Sequence, residues 1–176
     1  MSMNWYLIQE AIQRWAETYS GITVIFQRQD KHQPPRPYID LEIGGVSKPC
    51  EDQETLPDKN GHRVIYGTRE FTVTIRYFGS WNASGQLDDL LTTLRRQDVI
   101  ARFAEKGVIV LRTGPVQDTS FLEDAHNVDR ADAEIFCRTA VNMPYGGDSP
   151  ETSIIEQVTI VGNYQPENKD QTIIVP

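Results

Sequence analysis

Apolar side chains recur along this chain with two periods, and the switches between them mark out its elements. From Asn4 to Tyr19 they fall at Trp5, Ile8, Ala11, Ile12, Trp15 and Tyr19, three and four apart, which puts them on one face of a helix. Asn4 stands where an N-cap would and Gly21 just past the end, the residue types that open and close helices. "ITVIFQ" at 22–27 is rich in β-branched residues and predicts a strand. The prolines of "RQDKHQPPRP", 28–37, then force a loop, because they lack the donor a ladder needs. "YIDLEIGG" at 38–45 has period two, with Ile39, Leu41 and Ile43 inward against Tyr38, Asp40 and Glu42. Residues 46–61 carry Gly, Pro, Ser and acids without a period and predict a long, mobile excursion.

The alternation returns in "HRVIYGTREFTVTIRYFG", 62–79, which sets Phe71, Val73, Ile75 and Tyr77 against Glu70, Thr72, Thr74 and Arg76. A glycine within such a run, Gly67, points to a bulge or a break. A second helical stripe follows at Leu87, Leu90, Leu91 and Leu94, with Asp98 as the cap of a continuation through Val99 and Phe103 to Gly107. "GVIVLRTGPVQD" and "RADAEIFCRTAVNM" predict two more strands, the latter alternating Ala133, Ile135, Cys137, Thr139 and Val141 with Asp132, Glu134, Phe136 and Arg138. Runs of adjacent strands favour antiparallel pairing over a βαβ series. The expected fold is α+β: a mainly antiparallel, twisted sheet with two amphipathic helices on one face and long loops. Residues 1–145 form this domain, and 146–176 form an extension with an edge strand at 152–162 and a polar tail.

Composition narrows the functions. A chain of 176 residues, 39% hydrophobic, can bury roughly 70% of its unfolded surface in one core without disulfides or metals. The N-terminus has no basic leader followed by an apolar run, and no stretch approaches the ~18 apolar residues of a membrane span, so a soluble, unprocessed protein without a membrane partner is expected. Cys50 and Cys137 show no metal-ligand spacing and are expected to be reduced thiols in a cytoplasmic setting. The net charge of −8 argues against a broad nucleic-acid grip. The charge is uneven: residues 63–112 hold eight Lys/Arg against five Asp/Glu, and the rest holds nine against twenty. Unlike patches of this kind suit contacts between protein surfaces.

Catalytic chemistry finds little footing. His32, His62 and His126 stand in no setting typical of a nucleophile and its base. Glu123, Asp124, His126 and Asp129 could converge on a hard cation, but they lack the EF-hand register, and a solvated acidic loop is the plainer expectation. Gly44-Gly45 and Gly146-Gly147 open no phosphate-binding helix and are expected to be turns. Trp5 and Trp15 lie on the apolar stripe and should pack in the core, whereas Trp81 should stand partly exposed at a turn. No cofactor and no catalytic residue are expected.

The order and texture of these segments carry a resemblance. The helix with "RW" near its end, the Pro-rich loop running into "PYIDLEI", "REFTVTIRYFG", the leucine helix ending in "FAEKGVIVL", and "VQD" followed by "DRADAEIFCRTAV" resemble the neck or tail terminator proteins of tailed bacteriophages over about residues 4–142. The resemblance implies a structural virion protein, assembled in the host cytoplasm. It implies a hexameric homo-oligomeric ring that caps the tail tube, ends its growth and joins the tail to the head-side connector or stopper protein. The tail sheath is a further candidate partner, and DNA passes through the ring without specific binding. A ring needs two unlike surfaces on one chain. Candidate interface residues are Asp40, Glu42, Glu70, Thr72, Thr74, Arg76, Asp132, Glu134 and Arg138, which either pair across strands, face water or meet the next subunit. Loops 28–37 and 46–61 are expected to touch the tube, the connector or a neighbour. Two rivals stand beside this reading: a non-ring adaptor or assembly chaperone, and a metal-dependent hydrolase built on the 123–129 acids.

Overall fold

The computed structural model describes residues 5–27, 33–79, 81–123, 126–146, 159–164 and 169–174, the last two stretches by their backbone. The first helix, α1 (Trp5–Ser20), buries Ile8, Ile12, Trp15 and Ala16, with Trp5, Ala11 and Tyr19 packed against the same core. The apolar stripe thus does what its spacing predicts. Gly21 ends the helix at φ +69° and donates its N–H to the Glu17 carbonyl at 3.0 Å, a conformation in which an L side chain would be strained. Asn4, the expected cap, lies outside the described residues.

The strands are β1 (Thr23–Phe26), β2 (Tyr38–Ser47), β3 (Gln53–Glu54), β4 (His62–Gly79), β5 (Val108–Thr113), β6 (Gln117–Asp118), β7 (Phe121–Glu123) and β8 (His126–Gly146). They form one sheet in the order β1-β2-β4-β8-β5, with β3 on β4 and β6 and β7 on β8. β2 pairs antiparallel with β4, and β5, β6 and β7 pair antiparallel with β8. The fold is the α+β arrangement the sequence predicts, with one difference in pairing: β1 runs parallel to β2. The proline-rich connection is long enough to carry the chain back along the strand before it re-enters the sheet, which a tight hairpin would not allow.

The second helical stripe is two helices, α2 (Ala83–Thr92) and α3 (Gln97–Glu105), separated by a 3₁₀ turn at Thr93–Arg95. The Thr93 hydroxyl donates to the Leu90 carbonyl at 2.6 Å and accepts the Trp15 indole N–H at 2.9 Å, so a side chain of α1 is seated where the second helix breaks. Arg96, in an extended conformation, is the N-cap of α3. Asp98 is therefore not the cap, as expected, but sits inside the first turn. There it accepts Arg96 Nε at 3.0 Å and the Tyr19 hydroxyl at 2.5 Å, and these bonds, Arg96 first, hold its carboxyl down at about 2.

All three helices contribute to a core on one sheet face that includes Phe71, Val73, Ile75 and Tyr77 of β4 and Ala133, Ile135 and Cys137 of β8. Trp5 meets Phe71 edge-on at 5.5 Å, and Trp15 packs against Phe103 at 6.1 Å, so both tryptophans are core residues, while Trp81 is exposed. Burial of each large side chain contributes about 1.5–3 kcal/mol.

"GVIVLRTGPVQD" is interrupted, β5 ending at Thr113 and β6 starting at Gln117, because Pro115 has no N–H to donate and Gly114 instead bonds the Glu134 carbonyl at 2.7 Å. Residues 46–61 are not a structureless excursion, since they hold β3 and two fastened turns. Asp52 accepts both Arg69 Nη atoms at 2.6 and 2.7 Å. Asp58 Oδ1 accepts the N–H groups of Asn60 and His62 at 2.8 and 2.9 Å, which lower its pKa. β4 is continuous through Gly67. A Cβ there would lie 1.9 Å from Asp52 Oδ1, so the glycine makes room for the carboxylate that Arg69 holds.

The chain divides into two compact units, Met1–Gln53 with Tyr66–Met143, and Glu54–Ile65 with Pro144–Pro176. Within the second, β9 (Thr159–Tyr164) and β10 (Lys169–Ile174) form their own antiparallel two-stranded sheet. The strand expected at 152–162 as a sheet edge is thus paired with a segment expected to be polar tail, and residues 151–158 lie outside the described residues. β10, "KDQTII", has β-branched residues at its end, which satisfy strand geometry despite the polar start.

Candidate functional site

The sheet face opposite the helices brings the polar positions of β2, β4 and β8 together. Their register follows from the pleat: Tyr38 lies opposite Phe78, Asp40 opposite Arg76, Glu42 opposite Thr74 and Gly44 opposite Thr72. Arg76 donates from Nη1 to Asp40 Oδ2 at 3.1 Å and from Nη2 to Glu42 Oε2 at 2.6 Å, one partner directly across and one diagonal. Glu70 accepts Arg138 Nε at 3.1 Å, a link from β4 to β8. Arg130 forks onto Asp132, with Nε–Oδ1 at 2.8 Å, and its guanidinium also lies 5.2 Å from the Phe78 ring centre. Six of the nine candidate residues are thus tied into ion pairs.

Burial sharpens the picture at Asp40, which is 9% exposed. Burial raises its pKa and Arg76 opposes the rise. Its Oδ1 is buried and has no hydrogen bond among the described residues. Tyr38 and Asp40 take the outer face, as the alternation assigns them, but both are buried there. Tyr38 stacks on Phe78 at 4.6 Å with an 11° interplanar angle, and that pair covers the Asp40 end of the face.

Thr74, Asp132 and Glu134 surround a shallow hollow of about 290 Å³ with Gly114, Pro115 and Gln117. The Glu134 side chain is exposed. Thr72 is half-buried opposite Gly44. These positions, with Glu134 foremost, leave polar groups open on a face whose arginines are otherwise engaged.

The candidate metal cluster is differently used. β7 pairs with the start of β8, Phe121 opposite Val128 and Glu123 opposite His126, so strands stand on either side of residues 124–125, where an acidic loop is expected. Glu123 pairs with Arg36 at 2.5 Å. Asp129 gives Oδ2 to the Ala83 N–H at 2.9 Å. Asp124 and the His126 side chain lie outside the described residues, and among those described no three His, Cys, Asp or Glu side chains are placed to hold a metal. Burial pushes the Cys137 thiol up to about 12, which removes it as a nucleophile at neutral pH. Cys50 is exposed and free. His62 faces Asp58 Oδ2 at 3.4 Å in the excursion.

The aromatic part of the face was not among the expected positions. Tyr38, Phe78, Arg130 and the Arg112–Phe136 pair, 3.7 Å from guanidinium to ring centre, become visible only when strands are placed side by side. Period two assigns Tyr38, Phe78, Arg130 and Phe136 to the outer face, whereas Arg112 reaches it only through the bulge after Val110 that sets it opposite Phe136.

A family model described as a phage neck terminator protein matches residues 6–168. No curated protein matches the chain. Among the described residues no helix is long and apolar enough to cross a membrane.

Proposed function

The chain belongs to the phage neck terminator family, whose members are structural proteins of the virion neck acting between tail and head components, and from that premise we propose that its copies form a hexameric ring. The ring caps the tail tube, ends its polymerisation and presents the opposite side to the head-side connector or stopper protein, with DNA passing through without specific binding. The chain works by surfaces and not by catalysis. The observation that carries this reading is a family match spanning nearly the whole chain, 6–168, and the unlike charge of 63–112 and the remainder supports it, since a closed head-to-tail ring needs two different patches.

The polar outer face of the sheet is the proposed contact with the next subunit or with the tube. Glu134, Thr72 and Thr74 offer the free groups, and the engaged arginines keep the face rigid, so little side-chain entropy is lost on docking. Electron microscopy and mass measurement of the purified chain, alone and mixed with tail tubes, test the proposal. A discrete six-fold species seated on tube ends is expected. A monomer under every condition, with capping absent, would sink the ring.

A further inference from the structure

The β5 edge of the main sheet carries an apolar groove of about 570 Å³. Leu91, Leu94 and Phe103 belong to its floor. Ile100, Ile109 and Leu111 stand at its rim and are 47%, 57% and 43% exposed, an apolar cluster of the kind that marks an interaction site. Arg95 and Arg112 also line it, no carboxylate does, and both arginines are exposed. β5 has β8 on one side and no strand on the other among the described residues. The opposite edge is treated differently, because the Gln13 amide of α1 donates to the Val24 carbonyl of β1 at 3.3 Å and blunts that edge.

The same chain carries a segment with the complementary chemistry. Leu56 is 90% exposed, and the stretch 48–58, "KPCEDQETLPD", holds four carboxylates against one lysine; Arg69 holds Asp52 and Arg63 holds Glu54, which leaves Glu51 and Asp58, with side chains 94% and 51% exposed, as its outward acids. A leucine flanked by acids matches an apolar floor with an arginine rim, and surfaces of opposite charge on one chain are what a head-to-tail contact requires. Duplex DNA would meet the arginines but has nothing to place on the apolar floor.

We propose that the β5 groove receives the 51–58 segment of a second copy, with Leu56 seated in the groove and the exposed carboxylates of Glu51 and Asp58 facing Arg95 and Arg112. This rests on the ring reading above and names the surfaces that join its subunits. Leu56 supplies the buried anchor and the charges set orientation and encounter rate.

Cysteine cross-linking tests it. In a Cys50→Ser background, Leu56→Cys and Ile109→Cys copies are purified separately, mixed under mild oxidation with and without tail tubes, and run without reductant. A disulfide between the two kinds of copy is expected, and the double variant should ladder up to a closed oligomer. In parallel, Arg95→Glu with Arg112→Glu should raise the concentration needed for half-assembly about tenfold, as for the loss of two exposed ion pairs, and Arg112→Lys should restore part of it. Wild-type rings together with no cross-link and unchanged assembly of the arginine variant overturn the groove and leave the ring standing. So does a cross-link found only within one chain of the double variant, or duplex DNA competing the cross-link away. A wild-type chain that stays monomeric alone and on tubes overturns both.

Discussion

Two aspartates show how local geometry decides what a charge is worth. Arg69 holds the Asp52 carboxyl down at about 2, so Asp52 contributes stability that is present at neutral pH and lost as pH falls from the ordinary carboxylate range toward 2. Asp40 works the other way: burial raises its pKa, so its contribution to stability weakens as pH rises through the raised value. Arg76→Met removes the guanidinium that opposes that rise and leaves Asp40 and Glu42 without their shared partner. The expected loss at pH 7 is about 2 kcal/mol, below that of a fully buried pair because the residues keep some exposure, and it should shrink at a lower pH, since a protonated Asp40 no longer needs the guanidinium. Urea unfolding of both proteins at the two pH values checks this; an equal loss at both would mean that Asp40 is not carrying the uncompensated charge. Gly67→Ala should lower the melting temperature, because the new methyl would displace the Asp52 carboxylate from Arg69. In an Asp52→Ala background the same change should instead stabilise by about 0.5–1 kcal/mol, the usual advantage of alanine over glycine within a strand. Thermal unfolding of the four proteins reads the reversal of sign. The alternation in "REFTVTIRYFG" already set the site residues together on the face away from the core, but the partner of Arg76 and the reason for Gly67 were hidden, because both depend on residues 15 to 36 positions away in sequence.

The elements were legible to the extent that their signals are local. Trp5 to Tyr19 and the alternation of β8 depend on period alone, and they stand where the spacing puts them. The break after Thr92 depends on Trp15, and the parallel course of β1 depends on where β2 returns, so neither is written in its own segment. The start of α2 is another such case. Asn82 has φ 54° and its side chain makes no capping bond; the orphan N–H of Ala83 is taken by Asp129 from β8. A strand thus supplies both the hydrogen bond and the negative charge that the N-terminus of α2 favours. Asp129→Ala should cost about 1 kcal/mol, and Asp129→Asn less, since an amide oxygen can still accept the bond. Guanidinium unfolding measures both, and hydrogen exchange should localise the loosening to the first turn of α2. Exchange that quickens evenly over the whole core would show that Asp129 serves the sheet and not the helix end.

At the scale of the whole molecule, the segment proposed to seat on a neighbour contributes nothing to the core. No residue from 47 to 60 is buried, although this stretch carries the exposed Leu56 and several carboxylates. The segment cannot simply be cut out. Ser47 pairs with Glu70 while the chain re-enters β4 at His62, eight residues and about 27 Å along the strand, so closing the gap directly would pull β2 out of register. Replacing 47–60 with a Gly/Ser linker of equal length avoids that strain. The replaced chain should keep the core signals of a folded protein, because the helices and the buried faces of β4 and β8 are untouched. Its melting temperature should fall by only a few degrees, from the loss of the Asp52–Arg69 and Glu54–Arg63 pairs. Capping of tail tubes should disappear, since the linker has neither an apolar anchor nor acids to present to a neighbour. Near-ultraviolet circular dichroism follows the fold, and electron microscopy of tube lengths follows the capping. Tubes of normal length with the linker variant would show that the excursion is dispensable and move the proposed contacts to the polar face of the sheet.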